Sequence, residues 1–159
     1  MESTGVKGGL AIGALSAVPY LAALIAMNLF GFSADKRRER RWHLVIPSLM
    51  GAVGFSMAAS FAGSTPLALV SLSIAAAGVL TCAPLFWSLP TAFLGGTAAA
   101  AGLAAINSVG NLAGFVSPYM IGALKDATGS TAIPMYVLAL SLVIGAAAVL
   151  TTKKNIVNR

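Results

Sequence analysis

Charged side chains are scarce in this sequence. They make up 9% of its 159 residues, against 58% hydrophobic residues. A soluble domain of this size carries about 25% charged residues. A chain with so little charge cannot cover a water-exposed surface, so the deficit indicates that lipid replaces water around much of the molecule. The composition therefore predicts an integral membrane protein.

Acidic residues, histidine and cysteine are too few, and too far apart, for the chemistry they usually serve. All four acidic residues lie outside the long apolar runs, which also lack lysine and arginine. The single histidine, His43, and the single cysteine, Cys82, cannot assemble a metal site or a disulfide framework. No nucleophile stands beside a base. The sequence predicts no enzyme activity, no metal and no cofactor, and the apolar runs offer no ionisable group for proton coupling.

Five apolar runs fill most of the sequence, each of about 20 residues or more, which is the length a helix needs to cross the hydrocarbon core. Alanine and leucine dominate the runs, and none alternates with period two, so they predict helices rather than strands. The expected fold class is all-α, a polytopic transmembrane helix bundle. The predicted helices span residues 9–32, 42–62, 66–94, 97–122 and 132–152.

The third and fourth runs are almost continuous, so the position of the turn between them matters. Gly95-Gly96 is the natural apex, because glycine accepts the dihedral angles of a tight turn. Pro84 and Pro90 would then kink the third helix rather than end it. An apex at residues 88–91 is the competing interpretation.

Basic residues are concentrated on one predicted side of the membrane. Eight of the ten lie there, five of them within residues 36–41, together with Lys153, Lys154 and Arg159. The positive-inside rule then puts the N-terminus outside and the C-terminus in the cytoplasm. Because both basic groups flank apolar spans, topology explains them better than phosphate binding, and no nucleic-acid partner is predicted.

Neutral polar and aromatic residues are the remaining candidates for function inside the membrane. Asn107 and Asn111 are four residues apart and share a helix face. Unpaired amides are costly in hydrocarbon, so this face must meet another helix or a ligand, and both interpretations stand. With a turn at residues 95–96, Trp87 and Asn107 both lie near mid-bilayer, and Tyr20 is central in the first helix. Such a cluster is typical of a substrate pocket or of packing.

Two stretches carry a resemblance to a known family. Residues 31–36 (GFSADK) and 39–41 (ERR) resemble the loop signature of the major facilitator superfamily, although Arg38 stands where glycine is frequent. Residues 86–90 (FWSLP) and 102–118 (GLAAINSVGNLAGFVSP) look like the end of its anion:cation symporter branch, which includes phthalate-, tartrate- and galactonate-type permeases.

The resemblance implies a carrier of twelve helices in two halves, of which this chain matches helices eight to twelve. The N-terminal half and helix seven would then be absent from the chain. The implied function is that of the C-terminal portion of a secondary active transporter for small organic anions (carboxylates). The complete carrier would lie in a bacterial inner membrane, would be proton-coupled and would work by alternating access.

The resemblance also implies roles for particular residues. The implied substrate-binding residues are Trp87, Asn107, Asn111 and Tyr20. The implied cytoplasmic gate loop contains Asp35, Lys36, Arg40 and Arg41. The expected partners are a small organic anion, the lipid bilayer and a separate chain that supplies the missing half. The alternative is a truncated, transport-inactive remnant or a small structural subunit that oligomerises through the GxxxG step of Gly110 and Gly114.

Overall fold

The structure is a computed structural model that describes residues 9–158. Every regular element in this range is a helix, and five of the helices are long and apolar enough to cross a membrane. The predicted all-α membrane bundle is therefore confirmed. The helices are α1 (Gly9–Arg37), α2 (Arg41–Ser60), α3 (Thr65–Phe93), α4 (Gly96–Thr128), α5 (Ala132–Leu150) and the short α6 (Lys154–Val157).

Two helices run beyond the apolar segments that predicted them. Helix α1 continues from residue 32 to Arg37, and α4 continues from residue 122 to Thr128. The length of an apolar run shows only which residues can lie in lipid. The helix itself can continue into water until a residue adopts a non-helical backbone conformation. Helix α1 is followed by Arg38, whose φ of 48° is left-handed, and α4 by Gly129, with a φ of 65°.

The turn between α3 and α4 lies at Leu94 and Gly95, as the glycine pair predicts. Gly96 has a φ of 61°, a conformation that glycine adopts without strain. Pro84 and Pro90 both lie inside α3. The competing apex at residues 88–91 is wrong, because those residues form the last turns of α3.

Helix α3 is the centre of the bundle. Helices α1 and α2 each pack along it, while α1 and α2 contact one another little, and α2 also packs along α5. Glycines permit the close approach of α2 to α3. A Cβ added to Gly54 would meet the Ala75 backbone, and one added to Gly78 would meet the backbones of Gly51 and Pro47. The backbones of α2 and α3 therefore approach too closely for a methyl group at either glycine.

Helix α4 stands apart from this packing. It makes few contacts with α3 and α5, and no side chain described on it is buried. A Cβ added to Gly110 or Gly114 would have no heavy atom within 4 Å. The predicted GxxxG step thus has no helix packed against it among the described residues, and a wide cleft opens between α4 and the other helices.

Helix α6 closes one end of the bundle. Val157 is 1% exposed and lies in a core cluster with Ala34 of α1, Leu44 of α2, and Leu85 and Leu89 of α3. We call this end, formed by residues 33–43 and 153–158, the basic end. The C-terminal tail, whose basic residues predict only topology, is here part of the core.

Candidate functional site

A cleft of about 1150 Å³ lies between α4 and the helices α2, α3 and α5. Its walls are mostly apolar, and α3 supplies the longest part of them. The turn at residues 94–95 joins two of the walls, because α3 and α4 run away from it on opposite sides of the cleft. A concave apolar site with few polar groups is the usual form of a small-molecule binding site.

Trp87 on α3 and Asn107 on α4 both line this cleft. Trp87 is 38% exposed, and its ring meets that of Phe86 edge to face, with centroids 5.6 Å apart. Among the described residues, nothing forms a hydrogen bond with the Asn107 amide. The cleft therefore contains an amide and an indole with donors available to a ligand.

The other two predicted substrate-binding residues do not line the cleft. Asn111 lies one turn beyond Asn107 on exposed α4, and Tyr20 is 67% exposed on α1, which contributes nothing to the cleft walls. The cleft also has polar lining residues that were not among the predicted site residues, Ser48 on α2 and Thr152 after α5. Ser48 donates a hydrogen bond to the Leu44 carbonyl at 2.8 Å and lies 3.3 Å from Cys82 Sγ.

No charged side chain lines the cleft within the described part of the chain. The same part of the chain brings no three potential metal ligands together. The cleft can therefore offer a ligand apolar contact and neutral hydrogen bonds, but no counter-charge.

A second cluster of polar residues, centred on Glu39, lies at the basic end. The Glu39 carboxylate accepts a hydrogen bond from the Trp42 backbone N–H at 2.9 Å and another from His43 Nδ1 at 3.1 Å. His43 Nε2 lies 3.0 Å from Ser33 Oγ. Nδ1 donates to a carboxylate, so in the neutral ring Nε2 accepts the Ser33 hydroxyl proton. Glu39 and His43 thus connect the end of α1 to the start of α2.

The tail residue Asn158 completes this cluster. Its Nδ2 donates to Glu39 Oε1 at 3.0 Å, and its Oδ1 accepts from the Arg40 backbone N–H at 2.9 Å. Burial raises the pKa of the Glu39 carboxyl, but the hydrogen bonds from Trp42, Asn158 and His43 outweigh this effect and hold the pKa below its usual value. Asn158 therefore caps α2 from more than a hundred residues away in sequence.

The predicted gate-loop residues are divided between helices and loop. Asp35 and Lys36 are exposed in the last turn of α1, and Arg41 is the first residue of α2. Arg40 lies between the helices and bonds Asn158 through its backbone. The Arg41 guanidinium donates to the Leu150 carbonyl at 2.6 Å, which ties the start of α2 to the end of α5.

Curated proteins similar to this chain are bacterial transport proteins. The chain is 38% identical over 159 residues to the "Putative metabolite transport protein NicT" of Pseudomonas putida, a match covering 100% of this chain and 36% of that protein. It is 45% identical over 146 residues to a "Putative tartrate transporter" of Agrobacterium vitis, with coverage of 92% and 34%. It is 32% identical over 151 residues to the "Inner membrane transport protein RhmT" of Escherichia coli, with coverage of 95% and 35%.

No family model and no solved structure matches the chain. The chain spans about a third of the length of each of these relatives. With five membrane-crossing helices and transport proteins as relatives, it is an integral membrane protein. The comparisons confirm the resemblance found in the sequence, because the chain is related to the C-terminal part of bacterial proteins named as metabolite and tartrate transporters.

Proposed function

We propose that this chain forms five of the helices, eight to twelve, of a twelve-helix carrier of the major facilitator superfamily. The complete carrier takes up small carboxylates together with protons by alternating access in the inner membrane. The relatives named as tartrate transporters support the substrate class. The placement of eight of ten basic residues supports a cytoplasmic C-terminus and an external N-terminus.

The observation that carries this proposal is the position of Trp87 and Asn107 on facing walls of one cleft. The indole N–H and the amide N–H₂ are donors, and a carboxylate only accepts hydrogen bonds. In apolar surroundings each such bond contributes about 1 to 3 kcal/mol, because its loss leaves a charged oxygen unpaired. The cleft thus suits the oxygen atoms of a small organic anion.

The substrate charge and the coupled proton require groups that the described residues of the cleft do not supply. An anion at membrane depth needs a counter-charge, and the cleft has only neutral polar side chains. We therefore place both the cationic partner and the protonated group on the remaining two thirds of the carrier. This portion is either continuous with the chain or supplied by a separate polypeptide.

Uptake of labelled tartrate into proteoliposomes tests this function. The vesicles contain the complete carrier with this chain as its C-terminal part. We expect saturable uptake that an inward proton gradient accelerates and a protonophore abolishes. Asn107→Ala and Trp87→Ala should each raise KM about tenfold, the equivalent of about 1.4 kcal/mol.

Asn111→Ala is the matched control, because it removes the same amide one turn away, outside the cleft. Its KM should stay within about twofold of the parent value. The proposal is wrong if the complete carrier transports no carboxylate, or if the rate of uptake does not depend on the proton gradient. An equal rise of KM for the two asparagine variants would show that the cleft is not the binding site.

A further inference from the structure

A smaller crevice of about 540 Å³ lies between α1 and α2 at the basic end. It exists because both helices pack on α3 while they contact one another little. The part that lies farther along the helices from the α1–α2 connection is apolar, formed by Leu29 and Phe30 of α1 and Ile46 of α2. The part nearer this connection is polar and includes Arg37 and Trp42. The crevice therefore changes from apolar to polar towards the basic end, as a bilayer does from its hydrocarbon core to its headgroups.

Arg37 is the free cation of this crevice. Its side chain is exposed, and none of the described residues forms an ion pair or a hydrogen bond with its guanidinium. Lys36, Arg38 and residues 40–41 add four more cations nearby, against the carboxylates of Asp35 and Glu39. The potential around the crevice is therefore positive.

The one carboxylate that lines the crevice is already satisfied. Glu39 accepts hydrogen bonds from the Trp42 backbone, from His43 and from Asn158. The His43 ring meets Phe30 edge to face, with centroids 6.3 Å apart, so the polar part of the crevice adjoins its apolar part. These donors leave the Arg37 guanidinium available for an external anion.

The ring of Trp42 marks the level of the crevice in the membrane. It is 52% exposed at the first turn of α2 and lines the crevice beside the basic residues. Indole rings favour the interface between headgroups and hydrocarbon. A phospholipid at this level would place its phosphate at Arg37 and an acyl chain against Leu29 and Ile46. Basic pockets between membrane helices bind anionic headgroups in this way.

We propose that the crevice between α1 and α2 is a binding site for one anionic phospholipid of the adjacent leaflet. The Arg37 guanidinium binds its phosphate, Trp42 packs beside its headgroup, and Leu29, Phe30 and Ile46 contact its acyl chain. The apolar residues of the crevice distinguish this site from one for free phosphate, because they would add nothing to the affinity for a free phosphate ion. The site is separate from the transport cleft and does not depend on the proposed function.

Quenching of Trp42 fluorescence by brominated lipid tests the site in the full chain. A Trp87→Phe background leaves Trp42 as the only indole, since the sequence has two tryptophans. The vesicles contain phosphatidylcholine with a minor fraction of phosphatidylglycerol. Two vesicle preparations are compared, one with bromine on the acyl chains of phosphatidylglycerol and one with bromine on those of phosphatidylcholine. Both contain the same total amount of bromine. We expect the brominated phosphatidylglycerol to quench more.

Arg37→Gln should reduce this preference about fivefold, because one basic side chain near an anionic membrane contributes about 1 kcal/mol. Arg38→Gln removes the same charge from a residue that does not line the crevice, and it should retain the preference. Arg37→Lys, which keeps the charge, should also retain most of it. Equal helix content by circular dichroism in all variants excludes unfolding as the cause.

Four results would overturn the proposal. Equal quenching by both lipids in the parent would show no selectivity. An equal loss of the preference in Arg37→Gln and Arg38→Gln would show that the lipid responds to the overall positive charge and not to a specific site. Loss of the preference when inorganic phosphate replaces chloride at equal ionic strength would assign the crevice to a free anion. Protection of Trp42 from both brominated lipids would show that protein covers the crevice.

Discussion

At the scale of single residues, Arg38 is held in an unfavourable backbone conformation. Its φ of 48° lies in the left-handed region, where an L side chain costs about 1 kcal/mol or more relative to glycine. We expect Arg38→Gly to raise the free energy of unfolding by about 1 kcal/mol, measured by denaturant titration in detergent. Arg37→Gly, one residue earlier at the end of α1, should give no gain, and a similar gain there would contradict the account.

Glu39 makes the basic end sensitive to acid. Its pKa is lowered in the folded state, so its contribution to stability is complete above its ordinary value of 4.5 and is lost as the pH falls through the lowered one. We expect the denaturant concentration at the unfolding midpoint, measured in detergent, to fall as the pH is lowered below 4.5. The fall should be smaller in Glu39→Gln. An identical pH dependence in parent and variant would contradict this role.

At the scale of helices, the contact between α2 and α3 depends on glycine. An added Cβ at Gly54 would lie 2.6 Å from Ala75 Cα, which is backbone and cannot move alone. Gly54→Ala and Gly78→Ala should each lower the free energy of unfolding by about 2 kcal/mol, as expected for overpacking. Gly114→Ala, which meets no atom within 4 Å, is the control and should be neutral or stabilising. Equal losses at all three positions would contradict the packing described.

Sequence reasoning identified the helices because apolar length and composition act locally. The glycine contact between α2 and α3 was not predicted, since Gly54 and Gly78 lack the GxxxG spacing of Gly110 and Gly114. Whether two helices can approach closely depends also on the surface of the neighbouring helix, and the sequence of one helix does not show which neighbour it has. The described structure leaves α4 uncovered and puts the tight contact elsewhere.

The candidate site was predictable in part for similar reasons. Helix rise and the glycine turn predict similar distances of Trp87 and Asn107 from that turn, and both residues line the cleft. The capping of α2 by Asn158 was not predictable, because it joins residues more than a hundred positions apart. Ser48 and Thr152 were also missed, since single hydroxyls in apolar runs usually bond within their own helix, as Ser48 does.

At the scale of the whole molecule, the chain has a well-packed part and an open part. Helices α1, α2, α3 and α5 with the tail form the packed part, and α4 diverges from it beside the main cleft. The relatives are about three times as long as the chain, so further helices can cover this side in the complete carrier. If the proposed function is correct, we expect the substrate to bind at the boundary between this chain and the rest of the carrier.

Protection of a single cysteine by substrate tests this placement most directly. Asn107→Cys and Asn111→Cys are compared in a complete carrier whose other cysteines are removed, including Cys82 by Cys82→Ser. We expect tartrate to slow the labelling of position 107 by a thiol reagent severalfold and to leave the labelling rate of position 111 almost unchanged. Labelling of position 107 at the same rate with and without tartrate would contradict it.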